Sequence, residues 1–334
     1  MKIGKVFFTL TILGIILGGA YFYYAEHNEE ALPSFINRHT TNKKYIIKKA
    51  GRIVDSADTK EEIIEKASNI SRSIAVNTYN DEWVYSDFNP FLIITEDIVH
   101  DFEDFYEAVQ YAKKNEYDKV YYKTPEIVLW EAKTSEIESK PLNVPLILQN
   151  PELPNGCEVT SLAMIMQYAG INIDKMTLAA GVKKESLTYK EENGRIISGN
   201  PYEGFVGNIY GSGYGVYHGP IVDLAKQYCG ERAVDLTGLN FEEVLYILQQ
   251  GYPIWVITNA TYNSLDDSQF EIWHTPTGIV KITFKLHSVV ITGSDQDKVY
   301  INDPQNVTKN IGINKENFKK AWEQMGNQAM VILK

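Results

Sequence analysis

The chain reads as α+β, with one N-terminal membrane-spanning helix, a small α+β module and a larger C-terminal domain. Three observations predict this. An uncharged run, Val6 to Ala25, is 20 residues long and so sufficient to cross a bilayer as a helix. Between about Ala50 and Ala132, helical spacings alternate with short β-branched and aromatic stretches. Beyond Pro141, an amphipathic segment opens at Cys157, and two adjacent strand-like segments follow more than a hundred residues later.

Lys2 and Lys5 precede the apolar run, and Glu26, Glu29 and Glu30 follow it, so the lysines should stay in the cytoplasm and the rest of the chain should be exported. Tyr21, Phe22, Tyr23 and Tyr24 read as an aromatic belt at the outer interface. The rival is a signal peptide cleaved after Ala20, since Gly18 and Ala20 are small. The apolar run continues past that point, which favours the uncleaved anchor. No cysteine lies near the segment, which excludes a lipoprotein. Residues 26–49 read as a stalk. Removing the anchor leaves about 310 residues, enough for two domains. With 32 basic and 43 acidic residues the formal charge is −11, and no Lys/Arg cluster marks a nucleic-acid footprint. Two cysteines in 334 residues exclude a disulfide framework.

In the small module, residues 50–132, Thr59-Lys60-Glu61-Glu62 has capping-box spacing and opens a helix through Ser68 or beyond. Phe91–Thr95 reads as a strand, Phe102–Ala112 as an amphipathic helix, and Val120–Tyr122 and Ile127–Trp130 as short strands. Such a module could bind a partner or a wall polymer, or merely space the next domain from the membrane. Its aromatic residues alternate with charge as core packing requires. Residues 133–140 read as a linker, and 141–334 as the larger domain.

That domain holds the residues with chemistry. Cys157 follows the turn-like Leu153-Pro154-Asn155-Gly156, while Val159, Leu162, Ala163, Met166 and Ala169 line one helical face that Gly170 stops. The thiol therefore sits in a first helical turn, where unpaired N–H groups and the helix dipole favour a thiolate. Phe284–Gly293 and Lys298–Pro304 read as strands joined by a turn over Gly293–Asp297. A hairpin centred near Asp295-Gln296 makes paired residue numbers sum to about 591, which sets His287 opposite Pro304 and one step from Asp303. Gln149, eight positions before Cys157, can donate its amide to an oxyanion together with the backbone N–H of Cys157. His287 would then take the thiol proton, Cys157 would attack an acyl carbon, and Asp303 would hold the imidazole in the right tautomer.

Each assignment has a bland competitor. Cys157 alone would read as a small buried hydrophobe, His287 as a satisfied strand residue, Asp303 as a turn former before Pro304, and Gln149 as ordinary loop. Glu158 reads as serving the helix N-terminus by its charge rather than the chemistry. Cys229 closes a helix, where a thiol pKa should rise, and reads as structural; a Cys157–Cys229 disulfide is the competing reading. The glycine-rich run from Gly199 to Gly219 lacks a phosphate-loop ending and reads as a loop over or beside the cleft. His218 and His274 show no metal-site spacing, so zinc is not expected.

The order of Gln149, Gly156-Cys157-Glu158 at a helix start, a distant His287 at the head of a strand, and Asn302-Asp303-Pro304 closing the next strand resembles the C-39-like peptidases. These are relatives of the double-glycine leader peptidases of bacteriocin exporters, within the papain-like clan. The resemblance runs from about Pro141 to Leu333 and includes Gly211–Tyr217, Gly251–Val256 and Trp273–Gly278. It implies a papain-like cysteine peptidase domain, a Cys157/His287/Asp303 triad, Gln149 in the oxyanion hole, and neither metal nor organic cofactor. The expected activity is cleavage of a peptide or amide bond through an acyl-thioester, outside the cell and tethered to its membrane, on a peptide or protein that could be a cell-wall peptide. The alternatives are a cell-wall amidase or transpeptidase with the same triad, or an inactive surface binding module.

Overall fold

The computed structural model describes residues 42–95, 98–132, 138–185 and 190–334, and its chain divides into two compact units. The expected anchor, Val6–Ala25, and the stalk as far as residue 41 lie outside the described residues. Among the described residues no helix is long and apolar enough to cross a membrane.

The first unit comprises the described residues up to Glu103 together with Lys119–Val128. It starts inside the span expected to be stalk, because Tyr45–Lys49 forms strand β1, pairing with β2 (Arg52–Ala57) and β3 (Ser73–Asn77). With β4 (Trp83–Ser86) they make an antiparallel sheet of order β2-β1-β3-β4. Helix α1 (Lys60–Ala67) lies on it, burying Ile63 and Ala67 with Tyr45, Ile47 and Ala75. The capping-box spacing delivers one half of that motif. The Thr59 hydroxyl accepts from the Glu62 N–H, but the Glu62 carboxylate turns to Lys66, one helical turn on, at 3.1 Å. A second sheet has the order β6-β5-β7-β8, from β5 (Phe91–Ile94), β6 (Val99–Phe102), β7 (Lys119–Tyr122) and β8 (Thr124–Glu131).

The second unit comprises Asp104–Asp118 and Leu129–Lys334. Its first helix, α2 (Phe105–Lys114), begins three residues later than the spacing suggested, because Phe102 is taken up pairing with Phe91 and Asp104 caps the helix, accepting from the Glu107 N–H. Trp130 donates its indole N–H to Glu243 at 2.7 Å, and Lys113 pairs with the same carboxylate. Thus α2 and the end of β8 pack with the C-terminal residues. Of the expected linker, 133–137 lie outside the described residues, and Ser139 exchanges backbone hydrogen bonds with Ser294.

Helices α3 (Cys157–Tyr168) and α4 (Lys175–Gly181) come next, followed by short strands β9 (Lys184–Glu185), β10 (Lys190–Glu192), β11 (Arg195–Ile197), β12 (Phe205–Gly207) and β13 (Gly213–Gly215). After them run α5 (His218–Cys229), β14 (Ala233–Asp235), α6 (Phe241–Gln249), β15 (Ile254–Asn259), the hairpin β16 (Glu271–Thr275) and β17 (Gly278–Ile282), β18 (Leu286–Ser294), β19 (Lys298–Asn302), β20 (Ile311–Asn314), α7 (Lys315–Gln324) and β21 (Ala329–Ile332). The main sheet is antiparallel, of order β14-β21-β15-β18-β19-β20. Every residue of β15 is buried, as are all of β18 after Leu286, which requires cover on both faces. Trp255, Ile257, Val290 and Met330 join the core with α3, while α6 and α7 also pack on the sheet, their Phe241, Phe318 and Trp322 rings 5.5–6.2 Å apart.

Candidate active site

Two local features place Cys157 at the head of α3. The backbone turns tightly over Leu153–Gly156, where Gly156 N–H donates to the Leu153 carbonyl, and a Cβ on Gly156 would collide with the Leu153 side chain. Gly156 also supplies no side-chain cap, so first-turn N–H groups of α3 remain free to donate elsewhere. Trp255, fully buried on β15, pins the same turn by donating its indole N–H to the Glu158 carbonyl at 2.9 Å.

His287 and Asp303 meet as the hairpin suggested, although in a shifted register. Observed pairs are Ser294↔Val299 and Gly293↔Tyr300, then Ile291↔Ile301 and Val290↔Asn302, so the numbers sum to 593 and 592 rather than 591. A bulge at Thr292, whose hydroxyl bonds Tyr300 O and Asn310 Oδ1, absorbs the difference. The His287 Nε2–H donates to Asp303 Oδ1 at 2.8 Å, in a buried setting. Asp303 also accepts from the Gln305 N–H at Oδ1 and from the Tyr262 hydroxyl at Oδ2, both at 2.8 Å. Burial alone would raise this carboxyl, but the hydrogen bond and charge of His287, with the Gln305 and Tyr262 donors, hold it below the ordinary carboxylate range. Because Asp303 is an acceptor, the imidazole proton belongs on Nε2, which leaves the Nδ1 lone pair as the basic site.

The thiol departs from the sequence reading. Instead of a thiolate favoured by the helix start, Cys157 has its pKa pushed well above that of an ordinary thiol, by burial first and then by the charge and hydrogen bond of Glu158. The Ser288 N–H pulls it back only in part. Cys157 retains 7% of its surface, and its hydrogen bond goes to Glu158 Oε2 at 3.3 Å; among the described residues none joins it to His287. The two elements are nevertheless adjacent, since Ser161 on α3 bonds the Ser288 carbonyl at 3.0 Å, and the charges of His287 and Asp303 reach Glu158 and Cys157 respectively.

Gln149 is fully buried, with its backbone N–H on the Pro304 carbonyl and its Nε2 donating to Pro154 O at 2.8 Å. One amide hydrogen is therefore spent on the turn before Cys157. Among the described residues its Oε1 has no partner.

Three neighbours escaped sequence reasoning. Glu158 was expected to serve the helix end, but its carboxylate is buried between the thiol and the Val216 N–H, which donates to Oε1 at 3.0 Å. The signal available was its adjacency to Cys157. Tyr262 follows β15 in a loop with left-handed backbone (φ +53°) and carries no periodic signal at all. Tyr214 bonds Tyr217 through their hydroxyls at 2.8 Å and packs on Trp273 at 4.8 Å, beside the exposed Phe284. This wall belongs to the glycine-rich run, which does lie beside the site: a Cβ on Gly215 (φ +152°) would strike Glu158 Oε1 and Leu286. Cys157 and Cys229 are both free, and the Cys229 thiol pKa is raised, chiefly by burial.

A model of the Peptidase_C39 like family matches residues 141–330. The chain belongs to that family. Among curated proteins it resembles the "Uncharacterized protein YvpB" of Bacillus subtilis (strain 168), 47% identical over 199 residues, which span 59% of this chain and 77% of that protein. Among solved structures it resembles a crystal structure of a candidate C39-like peptidase from Bacillus anthracis, with 50% identity, 59% of this chain and 98% of that one covered, and a TM-score of 0.56. The mixed α+β architecture of the second unit is thus a C39-like peptidase fold, and the buried thiol, imidazole and carboxylate lie within the matched span of this C39-like chain.

Proposed function

We propose that the chain is a thiol peptidase in which Cys157 attacks the carbonyl carbon of a peptide or amide bond. The observation that carries this reading is the buried His287–Asp303 pair, with Asp303 held by three donors, beside a thiol at a capless helix start. On substrate binding the thiol hydrogen swings from Glu158 to His287 Nδ1. The proton moves to that nitrogen as the S–C bond forms. Imidazolium charge is then balanced by Asp303 through Nε2. The oxyanion takes the Cys157 N–H and the second amide hydrogen of Gln149. His287 next returns the proton to the leaving amine, and water cleaves the thioester. The apolar run Val6–Ala25, with lysines before it and glutamates after it, supports an outward-facing enzyme tethered to the membrane.

Cleavage of a peptide library by the purified full-length chain tests this, with product sequencing and Cys157→Ala, His287→Ala and Asp303→Asn as comparisons. Wild type should yield defined products. The alanine variants should lose at least about a thousandfold in rate, as deletions of nucleophile or base do. Equal cleavage by Cys157→Ala and wild type would rule the mechanism out.

A further inference from the structure

Glu158 is a buried carboxylate that takes no part in making or breaking bonds at the acyl carbon. Among the described residues it forms no ion pair with lysine, arginine or histidine, so it is not one half of a structural salt bridge. Its two oxygens have separate tasks: Oε1 accepts the Val216 N–H at 3.0 Å, and Oε2 accepts the thiol hydrogen of Cys157 at 3.3 Å. The position is held from three sides. Trp255 fixes its backbone carbonyl, Val216 fixes Oε1, and Gly215 leaves just the space the carboxylate occupies.

We propose that Glu158 is a positioning residue that keeps the resting thiol proton turned away from His287 and thereby sets the pH at which Cys157 becomes nucleophilic. This rests on the peptidase reading for its consequence, though not for its test. The geometry makes two demands on the thiol incompatible: one hydrogen cannot face Glu158 Oε2 and His287 Nδ1 together, so attack requires rotation about Cβ–Sγ. A negative charge 3.3 Å from sulfur also opposes a second negative charge there. The titratable groups around Glu158 are Cys157 on its own helix, His287 on β18 with Asp303 beyond β19, and Tyr214 and Tyr217 on and after β13. The two tyrosines stay neutral because burial raises both, so neither adds charge beside the carboxylate. Substrate entry therefore has to release the thiol from Glu158 before Cys157 can give its proton to His287.

The test is the pH dependence of iodoacetamide alkylation at Cys157, followed by peptide mass mapping in the full-length wild type and in Glu158→Gln. Glutamine keeps an acceptor for Val216 and removes the charge. The midpoint should fall by about one to three pH units. Because a thiolate of lower pKa is also a weaker nucleophile, the rate at pH 7 should rise by about threefold per unit. A purely structural role for Glu158 would leave the midpoint in place. A midpoint unchanged or raised in a folded Glu158→Gln overturns the proposal and leaves the peptidase reading standing; a lowered midpoint in a protein that cuts no peptide supports the proposal and sinks the peptidase reading. If Glu158→Gln does not fold, Glu158→Asp, which keeps the charge but draws it back from the sulfur, takes its place: a lowered midpoint supports the proposal, and an unchanged or raised one overturns it.

Discussion

Tyr262 illustrates what a single residue outside any motif contributes. Its hydroxyl completes the shell of Asp303, and its ring stacks on Phe318 at 6.1 Å, so both ends are fixed despite the left-handed backbone. Removing the hydroxyl in Tyr262→Phe takes a donor from an ionised carboxylate, a loss of about 1.5 kcal/mol, and should lower kcat/KM for peptide cleavage by about tenfold. It should also raise the pKa of Asp303, so the acid limb of the rate profile should move to higher pH, which a pH series on both proteins reads directly. Glu158 gives the opposite sign in stability. Its native pKa is raised, by burial above all. Stability linked to it is therefore fully present below its unfolded value of about 4.3 and is lost as pH rises through the native value. Glu158→Gln has no such loss. The melting temperature of the variant relative to wild type should climb as pH increases between those values, and a difference independent of pH would contradict the assignment. The order Gln149, Cys157, His287 and Asp303 is distinctive enough for the sequence to single these residues out, and the structure joins His287 to Asp303 while giving the Cys157 hydrogen to Glu158. The thiol's partner was not legible, because a hydrogen bond between residues 157 and 158 depends on burial that only the folded Val216–Gly215 segment creates.

At the scale of elements, patterns with a period were readable and local irregularities were not. Helix α3 runs from Cys157 to Tyr168 with Gly170 (φ +83°) just past its end, as the apolar spacing and the glycine indicated. Strands β18 and β19 appear where β-branched residues concentrate, yet their register differs from the simple hairpin count, since no residue type announces the bulge at Thr292. Contact between His287 and Asp303 survives because the bulge lies between the turn and the pair. The start of α2 was misplaced for a related reason, with pairing of Phe102 to Phe91 overriding helical spacing. The turn before α3 is testable. Gly156→Ala must move Leu153, so it should cost about 1–3 kcal/mol, visible as a lowered denaturation midpoint, and should slow Cys157 alkylation if the helix head shifts. A fully stable variant with unaltered alkylation would show that the close approach does not position the nucleophile.

For the whole molecule, the span from Pro141 onward was legible as a family domain, which the match over 141–330 bears out, while the expected anchor lies outside the described residues. The partition in between was less legible. Residues 50–132 looked like one module, whereas β1 lies before it and α2 with Leu129–Ala132 groups with the C-terminal residues. Amphipathicity says that the α2 face carrying Phe105, Ala108, Val109 and Ala112 is buried, but not against which neighbour. The proposed tether predicts that the full-length chain, expressed in a bacterium, sediments with membranes and retains Met1–Lys5 by N-terminal mass mapping; a soluble product beginning at Tyr21 would favour the cleaved signal peptide instead.

The most direct measurement of the acyl-transfer claim is labelling of the full-length chain with a set of peptidyl chloromethyl ketones at neutral pH, read by intact mass and peptide mapping. One adduct should form on Cys157, none on Cys229, and it should form at least about a hundredfold more slowly in His287→Ala, reflecting loss of the base. Adducts spread over both cysteines, or labelling of Cys157 at the same rate without His287, would contradict the account.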